Sequence, residues 1–267
     1  MKNHENQRFD SLFQKAGYQR LKNDLYSYLL RKRAVEKTLA KEMPGRVLEV
    51  GCGISLTAGA PDRIVYSDLS FEAMRLLKHS QKKGFYVVAD GISLPFKTNA
   101  FSHAICAEVL EHVENDLFML NELIRTLKKP AGCLILTLPY RKAYFANDDR
   151  FVNHYRRYEI REITQRLRSM GLKPVQIKKV MGPIGKAAMS LLAWIYSRNQ
   201  RPQHRRNSGK EIIGPKFFRN FITLFRWLNL CFHYFMWLEA KITPLPLASV
   251  VLIRSRITSK GDNPSDK

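Results

Sequence analysis

The stretch Arg46-Val47-Leu48-Glu49-Val50-Gly51-Cys52-Gly53-Ile54-Ser55 limits what this chain can fold into more than any other. Val47, Leu48 and Val50 make a short apolar run of the kind found in a parallel strand covered on both faces. The run enters a turn at Gly51 and Gly53, where the backbone can fold sharply and approach a ligand because no Cβ intrudes. A bare Gly-x-Gly is common. Its weight here comes from the preceding strand, from Glu49 two residues before Gly51, and from Ile64-Val65-Tyr66-Ser67-Asp68. That second apolar run ends in an acid 17 residues after Gly51. A doubly wound sheet places at such a strand end the carboxylate that takes a ribose hydroxyl pair.

The rest of the chain alternates in the same way. Ser70 reads as the N-cap of a helix to about Lys83, with Glu72 in its first turn and Met74 and Leu77 facing the sheet. Strands are predicted at 85–89, 104–107 and 133–139. A helix over 117–127 is predicted to carry Leu117, Leu120, Ile124 and Leu127 on one face. A helix ending at Met170-Gly171 precedes a sixth strand at 175–180, and 248–253 reads as a final antiparallel strand. Strands alternating with helices argue for a parallel α/β sheet. Residues 9–43 read as helix closed by Pro44-Gly45.

Five segments in order resemble the motifs of the class I S-adenosylmethionine-dependent methyltransferases. They are Glu49-Val50-Gly51-Cys52-Gly53, Asp68-Leu69-Ser70, the run from Ala89 through Asp90 and Gly91 to Phe96, Glu108-Val109-Leu110-Glu111-His112-Val113, and Leu127 to Gly132. The resemblance spans about residues 45–180 plus the last strand. It implies a Rossmann-like doubly wound α/β sheet of seven strands, parallel except for one, and S-adenosyl-L-methionine as cofactor. It also implies a division into a helical cap (1–44), the methyltransferase domain (45–183 and 247–257), a helical insertion (184–246) and a disordered tail (258–267).

The cofactor-binding residues carried over are Glu49, Gly51, Gly53, Asp68, Leu69, Asp90, Gly91 and Glu108. Gly51 and Gly53 admit the aminoacid end, and Glu49 orders that loop or meets the ammonium. Asp68 accepts from the ribose hydroxyls and Asp90 from the adenine amine, with Gly91 leaving room for the ring. The chain departs from the pattern at Ser55, where a third glycine is usual, and at Ser102, where an acid is frequent. It is also short between Gly53 and Asp68, with room for one or two turns of helix. The N-terminal segment is available to cover the methionine end, or it is a solvated cap.

On the acceptor side stand Glu108, Glu111 and His112, with His154 in the aromatic and basic run from Tyr140 to Tyr158. His154, His112 and Glu108 are the candidate catalytic residues. An imidazole titrates near neutral pH and suits a general base, while His112 also reads as a capping or packing residue. With no Asn-Pro-Pro-Tyr segment at the fourth strand end, an oxygen of a small or lipid-linked molecule is the expected acceptor. An RNA methyltransferase and a non-catalytic S-adenosylmethionine-binding module are the alternatives. A nicotinamide oxidoreductase would share the glycine turn but would leave the Asp90 loop and the Glu108–His112 segment unexplained.

With 45 Lys+Arg against 23 Asp+Glu, the 267-residue chain has a formal charge of +22. That favours anionic partners without specifying a fold. Cys52, Cys106, Cys133 and Cys231 have no metal-ligand spacing, and no metal is expected; three fall on or beside core strands as reduced, buried residues. Met1 to Gln7 lacks an apolar signal core, so the cytoplasm is the expected compartment.

The insertion is rich in aromatic residues on both sides of Arg198, Arg201, Arg205, Arg206 and Lys210. Arg219, Arg226 and His233, seven apart, make one polar stripe beside Phe218, Phe221, Phe225, Phe232 and Phe235. The longest uncharged run, Trp227 to Leu238, has 12 residues, short of the about 20 that span a bilayer. Two readings follow. One is a helix lying on an anionic membrane surface, peripheral on its inner face; the other is a lid packed on the domain or on a second copy in a homodimer. Nucleic acid fits less well, since no RNA-binding module is recognisable.

Overall fold

The apolar run after Arg46 forms the centre of the sheet. In the computed structural model, which describes residues 25–59, 62–81, 84–199 and 215–258, β1 (Val47–Val50) is buried at every position, Glu49 included. It pairs in parallel with β2 (Ile64–Asp68) and with β4 (His103–Ala107). With β3 (Phe85–Val88), β5 (Cys133–Pro139), β6 (Leu172–Met181) and β7 (Val250–Ile257), the order is β3-β2-β1-β4-β5-β7-β6. Strand β7 runs antiparallel to both β5 and β6, as expected for the last strand. Strand order reverses between β1 and β4, so a crevice opens at their carboxyl ends.

Alternation along the strands builds a core on each face. Leu48, Val50, Ala104, Cys106, Leu134 and Leu136 pack against α3 (Asp116–Thr126) and α5 (Ile160–Ser169). Ile64, Tyr66, Ile105 and Ile135 pack against α1 (Tyr26–Leu39), α2 (Phe71–Gln81) and part of α7 (Pro215–Ile242). Ser70 caps α2 through a hydrogen bond from the Ala73 N–H at 3.1 Å. Cys52, Cys106 and Cys133 are buried, whereas Cys231 is exposed.

Three expectations need correction. The residues described between Gly53 and the start of β2 form turns and no helix. Helix α3 buries Met119, Leu120 and Leu123 while Leu117 is exposed. Residues 117–120 are all apolar, so spacing alone allowed more than one inward face. His233 is buried beside the Tyr26 backbone and lies on no exposed stripe.

Helix α1 lies over the short loop that replaces the missing helix. The Tyr28 hydroxyl donates to the Leu56 carbonyl at 2.7 Å. The Tyr26 hydroxyl donates to the Gly185 carbonyl at 2.7 Å, at the start of α6 (Pro183–Asn199). Glu239 of α7 accepts from the Ile184 N–H at 2.7 Å, placing a carboxylate at the amino end of α6. Tyr26 meets Phe232 edge-on at 4.8 Å, and Arg33 lies 4.3 Å over the Trp237 ring. The carboxyl-terminal part of α7 is thereby joined to α1 and β6. Residues 9–24 of the expected cap, Arg201, Arg205, Arg206, Lys210 and 259–267 lie outside the described residues, as do the side chains of Phe218, Arg219, Phe221, Phe225 and Arg226.

Candidate active site

At the end of β1, Gly51 has φ +73°, and a Cβ there would lie 2.4 Å from a Val109 methyl carbon. Gly53 is also left-handed, at φ 55°. Both are conformations that glycine adopts at little cost. Asp68, at the tip of β2, accepts from the Gly53 N–H at 2.7 Å through one oxygen and from the Ser70 N–H at 2.9 Å through the other. The second-strand acid therefore holds the glycine turn in shape. Leu69 follows it, half-buried. At the end of β3, Asp90 accepts from the Ile92 N–H at 3.1 Å, and a Cβ on Gly91 would meet Met119 at 2.8 Å.

Glu49 is fully buried and faces the loop, where it accepts from the Thr57 N–H and hydroxyl at 2.8 and 2.7 Å and from the Ala58 N–H at 3.3 Å. Burial pushes its carboxyl up to about 7 despite those hydrogen bonds.

Beyond β4 lies a second group. Glu108 has φ 55°, a left-handed backbone that costs a non-glycine residue about 1–3 kcal/mol and recurs at functional sites. One of its oxygens stands 3.6 Å from the Arg31 guanidinium, which reaches across from α1; the other is buried without a hydrogen-bond partner. Glu111, in the helical turn Leu110–His112, is fully buried, and neither carboxylate oxygen has a hydrogen-bond partner. Burial, and then the Glu108 charge, hold its carboxyl well above the usual range.

His154 arrives from the loop after β5. Its Nδ1 is 2.9 Å from Asp149 Oδ1, at the end of α4 (Asn147–Phe151). Its Nε2 is 3.7 Å from Glu111 Oε1, and its ring meets His112 edge-on at 4.6 Å. Burial opposes ionisation of Asp149, but hydrogen bonds from His154, Arg157 and Lys186 more than offset it and keep the group well below the usual carboxylate range. The Tyr155 N–H donates to the Glu111 carbonyl at 2.8 Å, tying this loop to the β4 turn.

The structure thus brings Glu108, Glu111, His112 and His154 together. Tyr155 and Tyr158 of that loop do not join them: Tyr155 is half exposed, and Tyr158 is buried with its hydroxyl on Asp116 at 2.9 Å. Sequence reasoning missed Asp149 and Arg31, which orient His154 and pair with Glu108. Neither belongs to a motif: Asp149 lies five residues before His154 in the same loop, and Arg31 comes from a segment remote from Glu108.

A family model described as a methyltransferase domain matches residues 48–136, the stretch that runs from Leu48 past the glycine turn, the two strand-end acids and Glu111 to Leu136. The chain carries a class I S-adenosylmethionine-dependent methyltransferase domain. S-adenosylmethionine is the cofactor of such a domain. An uncharacterized protein of Methanocaldococcus jannaschii is 33% identical over 94 residues, which is 34% of this chain and 40% of that protein. The chain therefore spans less than half of the curated relative it matches.

Solved structures share the fold of this methyltransferase domain at low identity. A methyltransferase of Thermotoga maritima aligns with TM-score 0.55 and 16% identity over 89% of this chain and 93% of that one. A chain from Haloferax volcanii, solved in complex with the Trm112 methyltransferase activator, aligns with TM-score 0.58 and 15% identity over 94% and 98%. The [4+2]-cyclase SpnF aligns with TM-score 0.54 and 17% identity over 85% and 80%. The fold of the methyltransferase domain does not by itself name a reaction.

Proposed function

We propose that the protein is an S-adenosylmethionine-dependent methyltransferase that acts on an oxygen of a small or lipid-linked acceptor, at the surface of an anionic membrane. The observation that carries the enzymatic reading is the glycine turn clasped by Asp68, standing beside the buried Glu108–Glu111–His112–His154 group at adjacent strand ends. The turn fits the cofactor's aminoacid end, because Gly51 and Gly53 hold a left-handed backbone and Gly51 packs against Val109 with no room for a side chain. Asp68, at the tip of β2, is the acceptor for the ribose hydroxyls, and Asp90, after β3, for the adenine amine. Leu69 and Gly91 border the ring. Glu49 acts through the loop it orders.

When bound, the cofactor supplies a methyl group on a positively charged sulfur. The work of the protein is then to hold the acceptor in line, which alone supplies several kcal/mol, and to receive or disperse the acceptor's proton. His154 suits that task, since Asp149 fixes the ring and directs Nε2 towards Glu111.

The membrane reading rests on α7. Trp227, Leu230, Tyr234, Phe235, Leu238 and Ile242 are all exposed, and among the described residues no helix is long and apolar enough to cross a bilayer. An exposed apolar face on a helix of a strongly basic chain suits the headgroup region of an anionic membrane.

Calorimetric titration with S-adenosylhomocysteine tests the cofactor reading. Micromolar binding is expected, weakened about 10- to 100-fold by Asp68→Ala as charge-assisted hydrogen bonds are lost. His154→Ala should leave that affinity intact and lower turnover. Absence of binding by the wild type, or a folded Asp68→Ala variant that binds as well, would overturn the reading.

A further inference from the structure

We propose that Glu111, His112 and His154 form a binding site for one divalent first-row transition-metal ion. One ligand atom from each of the three lies within 4.8 Å of the others. Ligands about 2.0–2.2 Å from a common ion stand about 3–4 Å apart, so small side-chain rotations close the site. One carboxylate and two imidazoles suit zinc, manganese, iron or cobalt, whereas magnesium prefers oxygen ligands and water.

Glu111 supplies an independent observation. It is fully buried, both of its oxygens lack a hydrogen-bond partner, and one of them faces the Nε2 edge of His154. A buried carboxylate left in that state is costly, and a cation removes the cost. The neighbourhood is prepared in the manner of a metal site. His154 is oriented by Asp149 through Nδ1, the carboxylate–histidine arrangement that fixes the tautomer and raises ligand basicity. Asp149 is itself held by Arg157 at 2.8 Å and Lys186 at 2.7 Å. Glu108, with one buried oxygen lacking a hydrogen-bond partner, adds negative charge at the same strand end, partly balanced by Arg31.

This inference rests on the methyltransferase reading for its chemical use. A hydroxyl coordinated to such an ion loses its proton to solvent near neutral pH, which yields the anionic oxygen a methyl acceptor needs. His154 is then a ligand, and the ion replaces it as the group that lowers the acceptor's pKa.

The test measures metal before activity. The full chain, stripped with chelator, is dialysed against Zn2+, Mn2+ or Co2+, and bound metal is counted by mass spectrometry. One equivalent is expected, and the Co2+ form should show visible absorption bands typical of nitrogen and oxygen ligation. Glu111→Gln and His154→Gln should each weaken binding by at least 100-fold, and Asp149→Asn by about 10- to 100-fold as an orienting residue. S-adenosylhomocysteine affinity checks that each variant is folded. If wild-type protein binds the cofactor product but no metal, or if Glu111→Gln and His154→Gln both keep full metal affinity, the inference is wrong and the methyltransferase reading stands. Metal binding without cofactor binding would overturn the latter alone.

Discussion

Glu49 illustrates how much a single residue's role depends on its surroundings. Two residues before the glycine turn, it reads as ordering that loop or as meeting the cofactor's ammonium. The structure shows the second arrangement, with three hydrogen bonds from Thr57 and Ala58. Burial raises its carboxyl from an ordinary 4.5 to about 7. The folded state therefore holds that proton more tightly than the unfolded chain. Its contribution to stability is complete below about pH 4.5 and is lost as pH rises through about 7, at about 1.4 kcal/mol per unit of separation. Glu49→Gln should flatten that loss, so urea unfolding of the ligand-free protein between pH 5 and 8 should depend less on pH than in the wild type. An unchanged slope would show that Glu49 is not its source.

Among the elements, the turn after α1 holds a tie that no periodicity suggests. Glu42 is almost wholly buried and accepts from Arg254 at 2.5 Å and Arg256 at 2.6 Å on β7, with His103 Nε2 at 3.7 Å. It fastens the turn after α1 to β7 across 212 residues of sequence. Glu42→Ala leaves Arg254 largely buried without its carboxylate. Removing one partner of a buried pair costs about 3–5 kcal/mol; partial exposure of Arg256 puts the expected loss near about 3 kcal/mol. Thermal or denaturant unfolding would measure it, and a loss under about 1 kcal/mol would mean solvent already screens the pair. Helix α3 shows the other side of element-level reading. Its existence followed from apolar spacing, but the run Leu117-Phe118-Met119-Leu120 offered several inward faces, and packing on the sheet selected Met119 and Leu120.

For the whole molecule, the open question is what covers the outer side of α7. One side is occupied by the domain itself, through Phe232, Met236 and Trp237 against Tyr26, Arg33 and β6. The opposite side exposes Trp227, Tyr234, Phe235 and Leu238. The side packed on the domain corresponds to the lid reading, and the exposed side is the one proposed to meet a membrane. Sedimentation with acidic and neutral vesicles should show binding to the acidic ones only. Each basic residue close to the surface adds about 1 kcal/mol, and that share should fade with salt. Triple substitution of Trp227, Phe235 and Leu238 by Ser should abolish binding. A dimer that ignores acidic vesicles at low salt would assign the face to a second copy.

What the sequence determined by itself is the α/β sheet, its glycine turn and its strand-end acids. These depend on local regularities, such as strand period, turn chemistry and the order of motifs, which a chain displays without being folded. Tertiary structure decided what those residues meet. His154 stands 42 residues beyond His112 and reaches it only when the loop after β5 folds back onto the β4 turn. Arg31 and Glu42 likewise acquire their partners, Glu108 and Arg254, across large sequence separations. Burial, which leaves Glu111 without a hydrogen-bond partner and raises Glu49, comes from packing around a side chain, and no local pattern of residues encodes it.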